Sequence, residues 1–161
     1  SPELNLQEVK ALAQYNQIDK EIIVYGQLAM MITEYCPIGS VRTDFDCKES
    51  CNQECLEGDY GLLDRTGMIA PIEADPSSCR TVIYNSQAIF LLDYLGEIIK
   101  AGCQSYRLDF ITENREEVIE IIKAYQAIIN NPDLNTRELK KLKVKMNNRG
   151  YTTGHFYRGV K

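Results

Sequence analysis

Apolar and polar positions alternate in two rhythms along this chain, one helical and one extended. Leu6, Val9, Leu12, Ala13 and Tyr15 recur at near-helical spacing, which predicts an amphipathic helix over 6–17. Residues 21–25 (Glu-Ile-Ile-Val-Tyr) run β-branched side chains together and stop at Gly26, as a buried strand does. Residues 27–35 are apolar and lead into Cys36, whereas 37–59 carry Pro37, Gly39, Gly58 and many short polar side chains, so regular structure is expected to be sparse there. Residues 60–65 and 68–72 flank Thr66-Gly67 and predict a β-hairpin whose glycine takes positive φ. A turn at 75–78 delivers Cys79, and 80–84 again reads as a β-branched strand.

Further on, Asn85 or Ser86 caps a predicted helix carrying Ile89, Leu92, Leu95 and Ile99, closed by Gly102. Residues 104–110 alternate strictly, with Tyr106, Leu108 and Phe110 on one face and Arg107 and Asp109 on the other. The clearest helix starts at Asn114, with Glu117 completing a cap, and carries the stripe Val118, Ile121, Ile122, Tyr125, Ile128 and Ile129. A short basic helix over 136–147 follows, then loop or a terminal strand. Strand–helix–strand–helix from 80 to 130, after helix–strand at 6–25, predicts parallel pairing through right-handed crossovers. The expected fold class is therefore α/β: a partial (β/α) barrel with a cysteine-rich metal- or cluster-binding insertion over 36–79 and a β-hairpin.

A length of 161 residues fits one domain with a real core, and no apolar run approaches a membrane span. The chain opens Ser-Pro-Glu-Leu-Asn, without Met or a basic-plus-apolar leader, which reads as a fragment of a longer, cytoplasmic protein. A cut barrel would leave strand edges that favour a homodimer or contact with the rest of the parent chain. Net charge is −5, yet 137–161 holds eight Lys or Arg against Glu138 alone, or +7, leaving −12 elsewhere. Overall acidity argues against general nucleic-acid affinity, while the basic tail over 136–161, with Tyr151, Phe156 and Tyr157, suits a local RNA or anion contact or a simple solvated face.

Five of the six cysteines, at 36, 47, 51, 55 and 79, fall in a stretch with little apolar sequence to bury. Close Cys-x-x-x-Cys pairs are poor disulfide partners and good chelators, and four thiolates complete either a zinc or an iron–sulfur site. Spacing alone leaves zinc and cluster open. Cys103, beside Gly102 at a strand start, reads as a buried structural thiol.

Four separated motifs narrow this picture: Met31-Ile-Thr-Glu-Tyr-Cys-Pro-Ile-Gly39, Tyr60-x-Leu-x-Asp-Arg-x-Gly67 with Pro71-Ile72, Cys79-Arg80-Thr-x-Ile-Tyr-Asn85, and Gly154-His-Phe-Tyr-Arg-Gly159. In this order they resemble peptidase family U32, the collagenase-like proteases, and more closely the C-terminal part of its barrel domain. The resemblance implies a protease of unassigned catalytic type acting on peptide. Other members imply a 4Fe–4S protein needed for hydroxylating tRNA, ribosomal RNA or a ubiquinone precursor. Carried over by motif, the ligands are Cys36, Cys51, Cys55 and Cys79, with Cys47 as a substitute for Cys51 or a spare. A zinc-stapled, non-catalytic domain is the third alternative.

The remaining candidates are substrate contacts. Arg107 and Asp109 lie near the C-terminal end of a barrel-type strand, where such folds build active sites, or else pair as interior filling. Arg80 stands beside a ligand thiol and offers charge to a cluster or an anionic substrate. Asn85, His155, Tyr157 and Arg158 complete the set from the motifs. His155 is the only histidine, and no Ser or Cys is tied to it by sequence, which weighs against a nucleophile–base pair.

Overall fold

The computed structural model describes residues 2–15, 18–42, 51 and 53–157. Two compact units are present, one of residues 1–26 with 87–161 and the other of residues 27–86. The second holds the described part of the cysteine-rich segment.

In the first unit, helix α1 (Leu6–Ala13) starts at Asn5. The Asn5 side chain accepts from the Gln7 and Glu8 N–H groups, and Glu8 answers the Asn5 N–H in a capping box. A sheet of order β7-β1-β6-β8 forms the centre, from β1 (Glu21–Gly26), β6 (Ala88–Phe90), β7 (Ser105–Leu108) and β8 (Tyr151–Thr152). Strand β1 pairs parallel with β7 and antiparallel with β6, while β6 pairs parallel with β8. Helices α3 (Leu95–Lys100), α4 (Arg115–Asn130) and α5 (Arg137–Arg149) complete this unit. Its core gathers Val24, Tyr25, Phe90, Ile98, Ile121 and Tyr125 at 2% exposure or less. Tyr25 sits edge-on to Phe90 (6.3 Å) and Tyr125 (6.4 Å), and the Tyr125 hydroxyl donates to the Val24 carbonyl at 2.7 Å. Helix α4 begins as its sequence demands, with Asn114 as cap and Glu117 closing the capping box.

The second unit is an all-antiparallel sheet of order β2-β5-β4-β3, built from β2 (Ala29–Thr33), β3 (Tyr60–Leu63), β4 (Ile69–Asp75) and β5 (Arg80–Tyr84). Helix α2 (Pro37–Arg42) and a 3-10 turn at Glu54–Leu56 lie between β2 and β3. The hairpin turn is as expected: the Asp64 carboxylate accepts from the Thr66 and Met68 N–H groups, and Gly67 takes φ 83°. Among its described residues, only Gln27, Cys36, Ile38, Gly39 and Thr81 are buried. Met31, Ile32, Leu63 and Ile69 are exposed.

Three expectations are corrected. Among the described residues no closed barrel forms, and neither the partial barrel nor the cysteine-rich segment as a barrel insertion is borne out: these residues make a mixed α/β arrangement of two open sheets. The expected crossover from the 80–84 strand to the 104–110 strand is absent because β5 belongs to the antiparallel second sheet. The helix expected from Asn85 starts only at Leu95, after β6 and a 3-10 turn at Leu92–Tyr94. The run Ala88-Ile-Phe-Leu-Leu92 is buried throughout, and a fully buried strand has no period to separate it from a buried helix. The apolar run 27–35 holds strand β2, and helix α2 adds order within 37–59, where little was expected. No described helix is long and apolar enough to cross a membrane.

Candidate functional site

Each of the four candidate thiols is delivered by a different local structure. Cys36 lies immediately before α2, whose first residue is Pro37, and its carbonyl accepts the Ser40 N–H at 3.2 Å. Cys51 precedes the 3-10 turn and Cys55 lies inside it. Cys79 ends the turn between β4 and β5. There the Asp75 carboxylate accepts from the Ser77 N–H and from the Ser77 and Ser78 hydroxyls, which holds that carboxyl down at about 2. Cys47 lies outside the described residues.

The thiols differ in exposure: Cys36 is buried, Cys55 and Cys79 half-buried, Cys51 exposed, and none is in a disulfide. Three of them nonetheless act electrostatically on the fourth. Burial raises the Cys55 thiol above its ordinary value, and charge on Cys36, Cys51 and Cys79 pushes it the same way. Two sulfurs already accept backbone hydrogen bonds, Cys36 Sγ from the Gly39 N–H and Cys51 Sγ from the Gln53 N–H, each at 3.3 Å. Two non-glycine residues of this region hold positive φ, Gln53 at 57° and Cys79 at 54°. Left-handed backbone costs roughly 1–2 kcal/mol per L-residue and concentrates at functional sites.

The expected four-thiolate shell is not assembled at single-ion distances. Among the described residues no group of three or more His, Cys, Asp or Glu side chains is placed to hold a metal ion. Cys36 is buried and Cys51 exposed, and each sulfur takes a separate backbone N–H. In number and kind the donor set still fits a thiolate-bound group, with four soft ligands free of disulfides.

The other candidates scatter. Arg80 opens β5 and pairs at 3.7 Å with Glu34, so a carboxylate already answers its charge. The Asn85 N–H donates to the Leu28 carbonyl at 2.8 Å, a backbone role at the strand end. In the other unit, Arg107 reaches Asp109 at 3.1 Å and Glu21 at 3.3 Å, a half-exposed ion triad. His155 is exposed. Tyr157 packs edge-on against Tyr94 at 4.7 Å, and Arg158 lies outside the described residues. Cys103 is 8% exposed, as its position beside Gly102 suggested.

Comparison with known proteins gives one decisive match. The model of peptidase family U32 matches residues 1–161, the whole chain. The chain belongs to peptidase family U32. No curated protein and no solved structure matches it.

Two features of this U32 chain escaped the sequence. The side chain of Glu113 is 2% exposed; it accepts from the Tyr25 hydroxyl (2.8 Å) and from the Ile111 and Thr112 N–H groups (3.0 and 3.2 Å), with Arg149 at 3.7 Å. Burial, then the carboxylate, raises the Tyr25 phenol above its usual range. The second feature is the sulfur-directed N–H of Gln53, whose unusual φ no residue-type pattern signals.

Proposed function

We propose that residues 27–86 of this U32 chain form a cluster-binding unit, with Cys36, Cys51, Cys55 and Cys79 holding a 4Fe–4S cluster, and that the protein supports hydroxylation of an RNA or another aromatic substrate. The reading rests on the electrostatic influence that Cys36, Cys51 and Cys79, from separate points of the sequence, exert on the Cys55 thiol. Two further features support it. A unit of this length with only five buried described residues needs a staple other than a hydrophobic core. The N–H groups on Cys36 and Cys51 are the outer-shell bonds that tune thiolate-bound groups.

We favour a cluster over zinc. Four thiolates on one zinc at ~2.3 Å stand about 3.8 Å apart, so they form a tight group. Thiols that feel one another's charge without forming such a group suit a larger body that binds each cysteine on a different iron. When bound, such a cluster supplies one-electron chemistry or Lewis acidity to a substrate. The chain's own share is to hold four thiolates, donate N–H bonds to two of them, and keep the Arg80–Glu34 pair beside Cys79.

An RNA substrate draws support from α5. Lys143 pairs with Asp93, Lys145 with Glu117 and Glu120, and Arg149 with Glu113 and Glu117. Arg137, Lys140 and Lys141 make no ion pair among the described residues and line a shallow depression of about 490 Å³. Free cations on one helical face are the footprint of phosphate contact.

A peptidase is the second reading, favoured by the family itself. The experiment that separates them is anaerobic purification with iron, sulfide and zinc analysis, beside a peptide-cleavage assay. Iron and sulfide in equal amounts with visible absorption, lost on Cys→Ala at 36, 51, 55 or 79 and kept on Cys103→Ala, is the expected result. A colourless protein holding one zinc would overturn the cluster, and cleavage by pure protein that survives all four substitutions would favour the peptidase.

A further inference from the structure

The last described residues of the first unit hold an aromatic side chain at the surface. Phe156 is the anchor: it is 4% exposed, its carbonyl accepts the Leu6 N–H at 2.9 Å, and its own N–H donates to the Thr153 carbonyl at 3.3 Å. Tyr157, the next residue, is 53% exposed. Its ring stands edge-on to Tyr94 at 4.7 Å and to Phe156 at 6.1 Å. Phe156 already secures the backbone, so the Tyr157 ring is aromatic surface left in water on a held support.

A cationic surface adjoins it. Tyr94 ends the 3-10 turn at Leu92–Tyr94, and the residue before it, Asp93, pairs with Lys143 of α5. Lys140 lies three residues before Lys143 and so shares its side of the helix. Lys140 in turn lines one depression with Arg137, Lys141 and Val144, the last 58% exposed. The acids near Tyr94 are answered, Asp93 by Lys143 and Glu97 by Lys10 at 3.7 Å. Arg137, Lys140 and Lys141 are exposed and make no ion pair among the described residues, and these three cations against Glu138, the one acid of α5, leave +2. Proteins that hold unpaired strands combine such cations, which follow the phosphates, with aromatic rings on which bases stack.

We propose that Tyr157, backed by Tyr94, and the α5 cations Arg137, Lys140 and Lys141 form one binding surface for an unpaired nucleic-acid strand. A base lies on the Tyr157 ring and phosphates lie on the cations. That the strand is RNA rests on the function proposed above. A duplex supplies the phosphates but keeps its base faces stacked on one another, so it engages the helix alone.

Fluorescence anisotropy with a labelled mixed-sequence oligoribonucleotide of about 12 nucleotides, alone and annealed to its complement, tests this on the unsubstituted chain. The single strand should bind at least about tenfold more tightly than the duplex. Tyr157→Ala should weaken single-strand binding about tenfold, leave duplex binding unchanged, and be rescued by Tyr157→Phe. Over about 50–200 mM salt, joint Arg137→Gln, Lys140→Gln and Lys141→Gln should flatten the slope of log affinity against log salt by about 2, at ~0.7 per phosphate, whereas Tyr157→Ala leaves the slope alone. Equal affinity for strand and duplex, full binding by Tyr157→Ala, or an unchanged salt slope in the triple variant would each overturn the proposal. Iron and sulfide measured on the same samples keep the two readings apart. A cluster-loaded chain that ignores the single strand removes this surface alone. Strand binding by an iron-free chain, sensitive to Tyr157→Ala, supports the surface and removes the cluster.

Discussion

Glu113 ties three parts of the first unit together, and removing it should be costly in a calculable way. Its carboxylate accepts from Tyr25 of β1, takes two N–H groups of its own loop, and faces Arg149 at the end of α5. In Glu113→Ala the loop N–H groups, which are half-buried or exposed, recover water, whereas the hydroxyl of Tyr25 does not, because that residue is 0% exposed. An orphaned buried donor costs about 1–3 kcal/mol, and bonds to a charged group are each worth about 1.5–3 kcal/mol. Together these put Glu113→Ala at about 3–4 kcal/mol. Tyr25→Phe leaves the carboxylate its other donors and should cost about 1.5 kcal/mol. Because the two residues share a bond, the double substitution should fall short of the sum by about 1 kcal/mol. Urea unfolding of all four proteins, followed by circular dichroism, measures this, with an unchanged m-value as the check that only stability moved. A loss below about 1 kcal/mol for Glu113→Ala, or strict additivity, would refute the reasoning.

Other expectations follow from single contacts. Asn114→Ala removes the acceptor for the Glu117 N–H and should lower stability by about 1 kcal/mol in the same unfolding assay. Gly26→Ala, at the end of β1, should be destabilising: at φ 128° an added Cβ would collide with the Asp109 carbonyl oxygen, so a loss above about 1 kcal/mol is expected, and a stabilised variant would contradict that contact. Asp75 has a depressed carboxyl, so the stability it contributes is present above the unfolded value near ~3.9 and is lost as pH falls toward about 2. Carboxyl chemical shifts should therefore place its titration near 2, and a midpoint near the ordinary value would mean that the Ser77 and Ser78 hydroxyls are not donating to it.

Legibility in the sequence varied with how local the determining contacts were. Helix α4 was readable because both halves of its capping box and its apolar stripe lie within one stretch of chain. The β3–β4 hairpin was readable from its turn, where Asp64 and Gly67 act within five residues. Strand β6 was not, since its identity depends on burial between β1 and β8, far away in the chain. The partial-barrel expectation was not borne out either: with 88–90 a strand, no helical crossover directly follows β5. Of the candidate site, the cysteines were legible as residue types. The N–H groups of Gly39 and Gln53 and the left-handed backbone at Cys79 were not, because each depends on backbone conformation.

The placement of residues 27–86 within the sequence of the other unit has a kinetic consequence. Strand β1 must find β6, with Tyr25 opposite Phe90, across all the chain between them. Strands β2 and β5 pair Ala29 with Tyr84, so once that antiparallel sheet has formed, the loop left to close is only the short stretches on either side. Shrinking a loop of roughly 60 residues to roughly 10 lowers the closure cost by about 1.6 kcal/mol on the logarithmic scaling of loop entropy. The antiparallel sheet, complete by Tyr84, can thus organise early during synthesis, while the mixed sheet awaits β8 at Tyr151–Thr152. A defect in the cysteine-bearing unit would then appear first as slow maturation of the other, before any loss of its final stability.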